Sequence, residues 1–352
     1  MINMKCKVGS IVVATNQGLG YLMLDFYKNG VVDEVLLQES PRFKSNPEWY
    51  GKSKVDLTSQ ENFPYTRTLT SKEKKKVIKF LKSIDLLLFF ETPFNYDVIK
   101  IANEMKVKCI LMPMYECTLY PIEVDAYLAP SMLDLQYYKQ LYPNKLSKFI
   151  QIPIPNEIKW KRRTKARTFI HNSGNGGVLG RNGTEELIEA MEYVTSPIKL
   201  IIRSQSKDYI NYNDDNRIEI IKKHIPFTEL WDEGDVFIFP EKFNGLSLPI
   251  QEAYASGLLI MSGNRFPFNS WLPAESLIPV QAYNTIAIVN IPIQNAVYNP
   301  RDIATTIDKW YNKDIEDYSI GGREWGKQSS WEALRNEYQS FFKEVINENI
   351  NH

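Results

Sequence analysis

The chain has 352 residues, 43% of them hydrophobic and 24% charged, which suits two globular domains of ordinary size rather than a disordered or fibrous chain. Lys plus Arg and Asp plus Glu each total 42, so no whole-chain field gathers polyanions, although local patches remain open. Three cysteines, Cys6, Cys109 and Cys117, form no regular framework. That argues against a secreted disulfide scaffold and for a reducing compartment.

In chain order, residues 9–15 are a short β-rich apolar run, followed by Asn16, Gln17, Gly18, Leu19 and Gly20 and then helical spacing over 21–29. The pattern predicts strand, glycine loop and helix, and no cleavage site follows the apolar run as in a signal peptide. Residues 32–38 predict a strand. Residues 70–83 predict a helix with Ser71 as its cap. Residues 85–90 predict a buried strand ending in Glu91, Thr92 and Pro93. A helix over 96–105, strands over 108–112 and 126–129, and a helix from Pro130 and Ser131 complete the first half. The apolar run at 84–90 is far too short to span a bilayer. The expectation is a soluble, cytoplasmic chain. The Lys/Asn/Ile-rich composition fits a bacterium or a phage-infected host.

Residues 152–155 (Ile-Pro-Ile-Pro) read as a stiff connector. The next nine, 159–167, hold six basic residues: Lys159, Lys161, Arg162, Arg163, Lys165 and Arg167. This stretch is either a solvated linker or a contact for anionic lipid, nucleic acid or a polyphosphate acceptor. The strand–helix pattern then restarts. Strands are predicted at 168–171, 199–203, 217–221, 235–239 and 258–261. Helices are predicted at 184–193, 227–231, 248–256, 300–311 and 330–346. Continuous apolar strands alternating with helices mean parallel sheets covered on both faces. The expected fold is therefore α/β, with two doubly wound Rossmann-like domains facing a cleft. The expected limits are 1–155, 156–320 and a C-terminal helical segment, 321–352, returning to the N-domain. Ligands in such sheets sit beyond the carboxyl ends of the strands.

Two strings there carry chemistry. Residues 171–184 form a glycine-rich loop between strand and helix, whose backbone N–H groups suit a phosphate or diphosphate. Asn172, Ser173 and Gly174 open it and Arg181 adds a charge. The Gly-Lys-Ser/Thr of a P-loop is absent, and the glycine spacing is not GxGxxG. The second string runs from Asp235 to Gly257. A buried strand is followed by Asn244 and Gly245, then by a helix with Glu252 in its second turn, where a carboxylate can accept bonds from both ribose hydroxyls. His171 ends a strand; it either touches a ligand or is a satisfied structural histidine.

The second string resembles the signature of the retaining GT-B glycosyltransferases of family 4, or group 1. Asn244, Gly245, Leu246, Ser247, Leu248, Pro249, Glu252 and Ala253 occupy the positions of that signature. Arg181-Asn182-Gly183-Thr184 resembles the family's Arg-Lys-Gly-Thr, and Ser330-Trp331 resembles the start of its terminal helix. The resemblance implies transfer of a sugar from a nucleotide sugar, a UDP-sugar being expected, to an acceptor hydroxyl with retention. The implied acceptor is a glycan or a modified DNA base. Glu252 would hold the donor ribose. Asn244 and the backbone of Gly245, Leu246 and Ser247 would hold sugar and diphosphate. Gly18 and Gly20 would close over the diphosphate, and Arg181 or Arg203 would supply positive charge. Glu91 and Glu116 end N-domain strands and are the candidate bases. Two departures stand out: Asn244 replaces a carboxylate and Asn182 replaces a lysine. No metal and no cofactor beyond the co-substrate is expected, since Asp-x-Asp is absent and His171, His224 and His352 are not spaced as ligands. The alternatives are a non-catalytic nucleotide-sugar or glycan-binding protein and a nucleotide-sugar epimerase of the same fold.

Overall fold

The computed structural model describes residues 6–39, 44–51, 57–58, 68–93, 95–116, 118, 122–174, 178–205, 215–223, 225–288 and 291–347. Cys117, Tyr120, His224 and His352 lie outside these. The chain divides into two compact units, Met1–Ile152 with Trp331–His352, and Pro153–Ser330.

The first unit is built on β1 (Val8–Val13), α1 (Gly18–Lys28), β2 (Glu34–Glu39), β3 (Leu57–Thr58), α2 (Ser71–Leu81), β4 (Leu86–Glu91), α3 (Tyr96–Glu104), β5 (Lys108–Pro113), β6 (Ala126–Ala129), α4 (Met132–Leu141) and β7 (Leu146–Phe149). Its sheet runs in the order β3-β2-β1-β4-β5-β6-β7, all parallel. The order reverses between β1 and β4, which is where a doubly wound sheet opens a crevice at its carboxyl edge. Leu86 to Phe90 are buried on both faces of β4, as a continuous apolar run requires. The cap of α2 is Thr70, not Ser71. Thr70 and Glu73 exchange side-chain and backbone bonds in a capping box, which satisfies two end N–H groups that a cap at Ser71 would leave open.

The second unit contains β8 (Thr168–Gly174), α5 (Thr184–Ala190), β9 (Lys199–Ser204), β10 (Ile218–Ile221), β11 (Val236–Phe239), α6 (Leu248–Ala255), β12 (Leu259–Ser262), β13 (Ala282–Ile288), β14 (Ile291–Val297), α7 (Pro300–Trp310) and α8 (Glu316–Gln328). Its five parallel strands run β10-β9-β8-β11-β12, and β13 and β14 form a separate antiparallel pair. Here the order reverses between β8 and β11. The helix α8 packs on α6 so closely that a Cβ at Gly322 would lie 2.1 Å from the Tyr254 carbonyl oxygen.

The last helix, α9 (Trp331–Asn347), belongs to the first unit. Phe26 sits at its centre of attachment, edge-on to Phe90, Trp331 and Tyr338 with ring centroids 5.0–5.1 Å apart. Trp331 Nε1 donates to Asp25 Oδ2 at 2.5 Å and the Tyr338 hydroxyl to the Gln151 carbonyl at 2.9 Å. Buried rings of this size contribute roughly 1.5–3 kcal/mol each, and the two polar tips are satisfied.

Of the basic residues after the connector, Arg163 is buried in the second unit, whereas Lys159, Lys161, Arg162, Lys165 and Arg167 are exposed. Arg163 corrects the expectation of a surface contact: it is buried, and its guanidinium donates to the carbonyls of Lys161, Trp231, Gly234 and Ser256. Burial brings its pKa down to about 10. A cation with four carbonyl partners is a pin for the surrounding loops. Lys159 and Lys161 donate to the Asn156 and Asp232 carbonyls, Arg162 pairs with Glu316, and Arg167 reaches Asn312. The backbone of Lys165 bridges Asp314.

Candidate functional site

The carboxyl edge of the second sheet gathers the loops after β8, β9, β11 and β12. The loops after β8 and β11 touch intimately. Gly183 has φ +71°, and a Cβ there would lie 2.3 Å from the Pro240 carbonyl oxygen, so only glycine fits. Lys242 N–H donates to the Arg181 carbonyl at 2.7 Å, and Lys242 Nζ pairs with Glu186 at 2.5 Å. Asn182 Nδ2 donates to the Ser173 carbonyl at 2.9 Å. Asn182 thus ties the loop to its own strand.

His171 is fully buried between the Ile238 carbonyl, 2.9 Å from Nδ1, and the Thr184 hydroxyl, 2.8 Å from Nε2. A carbonyl only accepts, so Nδ1 carries the proton and Nε2 accepts from Thr184. Burial lowers the pKa to about 4, and the ring is neutral at physiological pH. His171 is the satisfied structural histidine of the two readings: it welds β8, β11 and the start of α5.

Asn244 also proves to be a builder of its loop. Its Oδ1 accepts from the N–H groups of Leu246 and Ser247 at 3.0 and 3.2 Å, and its Nδ2 donates to Glu241 Oε1 at 2.9 Å. Both lone pairs of the amide oxygen are taken by its own loop, and one Nδ2 hydrogen is given to Glu241. Glu241 is 1% exposed, and its Oε2 meets Arg265 Nη2 at 3.3 Å. Arg265 further donates to the Glu241 and Asn244 carbonyls, and the Tyr298 hydroxyl to the Glu241 carbonyl. The carboxylate of this loop is therefore at 241, with its charge answered by Arg265. A second carboxylate at 244 would face it at hydrogen-bond distance. Glu241, Arg265 and Tyr298 were not singled out from the sequence. Glu241 stands within the signature string, whereas Arg265 and Tyr298 lie in segments with no motif.

Glu252, on the second turn of α6, is buried, and its Oε2 accepts from Trp231 Nε1 at 3.2 Å. Trp231 follows Leu230, whose carbonyl accepts from Arg203. Arg203 is buried at the end of β9 and pairs with Glu233 Oε2 at 3.2 Å; burial lowers its pKa and Glu233 opposes that. Arg203, Trp231 and Glu252 thus form one chain of contacts. Trp231 was missed in the sequence, where it reads as part of a short helix. Ser247 caps α6 in a left-handed conformation, φ +40°, rare for a serine.

Four buried polar atoms on this edge have no hydrogen-bond partner among the described residues: Asn172 Oδ1 on β8, Arg203 Nε on β9, Ser247 Oγ at the start of α6 and Ser262 Oγ at the end of β12. Buried polar atoms are almost always paired. Four unpaired ones lie along this one sheet edge. Gly174 ends β8 with φ +55° and Gly245 lies between Asn244 and Leu246. Arg181 is half-buried at the mouth of the β8 loop.

In the first unit, Gly18 and Gly20 are inside the first turn of α1 rather than in a loop before it. A Cβ at Gly20 would lie 2.1 Å from the Thr15 carbonyl oxygen, while Gly18 faces open space. Gly20 is therefore needed for close packing, and Gly18 leaves the helix start uncovered. Glu91 ends β4 with a strained φ of +60°. Thr118 Oγ1 donates to the Glu91 carbonyl at 2.8 Å and its N–H to the Met114 carbonyl at 2.7 Å, joining the ends of β4 and β5. Glu116, in the latter loop, is 3% exposed rather than a surface carboxylate. Beside it lies Asp134, which accepts from Ser131 Oγ at 2.5 Å and Tyr115 N–H at 2.8 Å. Burial, and then the charge of Glu116, push the Asp134 pKa well up. Thr118 thus ties the end of β4, at Glu91, to the loop after β5 that carries Glu116. Among the described residues no three His, Cys, Asp or Glu side chains gather as metal ligands, and no helix is long and apolar enough to cross a membrane.

No protein-family profile matches the chain, and no curated protein does. Solved structures match over nearly the whole length. A glycosyltransferase from Rickettsia africae superposes with a TM-score of 0.69 at 11% identity, covering 98% of this chain and 99% of that one. HepE of Anabaena, solved with UDP, gives 0.68 at 11% identity over 96% and 100%. The pneumococcal O-GlcNAc transferase GtfA, solved with UDP and GlcNAc, gives 0.65 at 11% identity over 99% and 100%. At such identities the likeness is one of fold: two Rossmann-like parallel-sheet units, as in GT-B glycosyltransferases.

Proposed function

We propose that this chain transfers a sugar from a nucleotide-sugar donor, a UDP-sugar, to an acceptor hydroxyl. The observation that carries the reading is the row of unpartnered buried polar atoms along the carboxyl edge of the second sheet. It lies on a fold shared with structures solved with UDP. In this reading Glu252, steadied by Trp231, accepts the ribose hydroxyls. Arg203 Nε, Ser247 Oγ and the N–H groups opening α6 meet the diphosphate. Cleaving the bond between sugar and diphosphate leaves negative charge on the departing phosphate. Preorganised N–H dipoles and Arg181 stabilise that charge without a metal ion, as fixed donors do in a water-poor site. Retention of configuration follows the family resemblance, and no pair of carboxylates spaced as in a glycosidase is required. Glu91 and Glu116 are the candidate bases on the acceptor side, and a glycan is the acceptor class. The role of Asn244 is to set the loop, with Glu241 and Arg265 beneath it.

Isothermal titration with UDP and a panel of UDP-sugars tests this reading on wild type and Glu252→Gln. Loss of charge-assisted bonds costs roughly 2–4 kcal/mol, so the variant should bind UDP at least thirtyfold more weakly, by the conversion of about 1.4 kcal/mol per tenfold, with an unchanged melting profile. Equal affinity would remove Glu252 from the donor site. A second reading, a nucleotide-sugar-binding protein without turnover, is favoured by one observation: Asn182 and Asn244 both spend their amides within the loops. Donor binding without hydrolysis or transfer, with and without chelator, would select it.

A further inference from the structure

Beside the exposed cations of the stretch at 159–167, a second concentration of positive charge lies on α2. Between residues 71 and 83 there are six lysines and one glutamate, in a chain whose formal charge is zero. The single acid, Glu73, is spent on the capping box, and Lys74 pairs with Asp97 at 3.6 Å. Lys72, Lys75, Lys79 and Lys82 are exposed and have no ion-pair partner among the described residues. At about 100° per residue these four fall within an arc of roughly 80°, opposite the buried Val77, Phe80 and Leu81 that hold the helix to the sheet. Ile78, 36% exposed, flanks the same arc.

We propose that this face of α2 docks the protein on an anionic lipid bilayer. The apolar side of the helix is already used by the core, so the contact is electrostatic, with Ile78 at the headgroup level rather than a helix buried in the membrane. The choice of partner follows from the type of cation. All four are lysines, mobile point charges suited to a diffuse field of headgroups. None is an arginine fork of the kind that grips individual phosphates or bases, and no aromatic ring shares the arc for stacking on a nucleic acid. The surface is a convex helix face. The inference stands apart from sugar transfer, because it uses no residue of the donor edge.

The test is co-sedimentation of the full chain with large vesicles of phosphatidylcholine alone and of phosphatidylcholine mixed with phosphatidylglycerol. Wild type should pellet only with the anionic vesicles, and less as salt rises. Each lysine removed should weaken partition about fivefold. The pair Lys75→Gln with Lys79→Gln then loses about twenty-fivefold, and adding Lys72→Gln and Lys82→Gln abolishes binding. Melting curves should stay unchanged, because all four side chains are solvent-exposed; the double variant serves if the quadruple one folds poorly. Failure of wild type to bind anionic vesicles, equal binding to neutral ones, or undiminished binding by the variants would overturn the proposal. So would lysine-dependent retention of a duplex oligonucleotide without any vesicle binding, which would assign the face to nucleic acid.

Discussion

Beneath the loop after β11, three side chains share one negative charge and one positive charge. Asn244 donates to Glu241 at 2.9 Å, and Arg265 answers Glu241 from the other side. Asn244→Asp would keep the acceptor for the Leu246 and Ser247 N–H groups. It would lose the donor to Glu241 and set two buried carboxylates face to face. The expected cost at neutral pH is about 1–3 kcal/mol, and it should shrink in acid as one carboxyl takes up a proton. Combining it with Glu241→Gln restores one charge and one amide, and should recover most of the loss in urea unfolding. Full stability of Asn244→Asp alone at pH 7 would show that the amide does not meet Glu241. His171 supplies a second test. The unfolded chain takes a proton on it near 6.5, and the native chain only near 4. Stability contributed by the neutral ring is therefore complete above pH 6.5 and is lost as pH falls toward 4. The gap is worth about 3 kcal/mol. Urea midpoints between pH 7 and 4 should fall more steeply in wild type than in His171→Gln, and parallel slopes would contradict the buried neutral ring.

At the scale of elements, the sequence showed what its hydrophobic pattern could encode. The buried strands β4 and β11 are unbroken apolar runs, and the alternation of strands with helices gave both sheets. Four elements, β7, β13, β14 and α8, were not legible. β7 is a four-residue edge strand, half-buried throughout, with no apolar run to announce it. The pair β13 and β14 is joined at residues 289–290 without an Asn-Gly or Asp-Gly signal. α8 holds Gly321, Gly322 and Gly326, which read as helix breakers, yet Gly322 is what lets α8 lie against the backbone of Tyr254. The candidate site shows the same division. The position of Glu252 in the second turn of α6 was legible in a short string that folds locally, whereas Gly18 and Gly20 open α1 rather than a loop. The bonding of Asn244 was hidden because its network closes through Arg265 and Tyr298, 24 and 57 residues along from Glu241.

For the molecule as a whole, the two units have separate cores, and the chain closes the first with its last helix. Removing residues 331–352 would strip Phe26 of Trp331 and Tyr338 and leave Asp25 and the Gln151 carbonyl without their donors. Loss of one large buried aromatic costs about 3–5 kcal/mol. Amides of α1 and β4 should therefore exchange with solvent at least about a hundredfold faster in the truncated chain. The second unit keeps all of its own elements from β8 to α8. Its strands should retain their protection. A ligand that binds only the folded form stabilises it by about 2.7 kcal/mol at a hundred times its dissociation constant. Saturating UDP should then slow exchange at the ends of β8 and β9 and the start of α6, in the full and the truncated chain alike. Hydrogen exchange read by mass spectrometry separates these effects. If truncation left α1 and β4 fully protected, α9 would not be what completes the first core. If UDP slowed exchange elsewhere than along the carboxyl edge of the second sheet, the unpartnered atoms there would not mark the donor site.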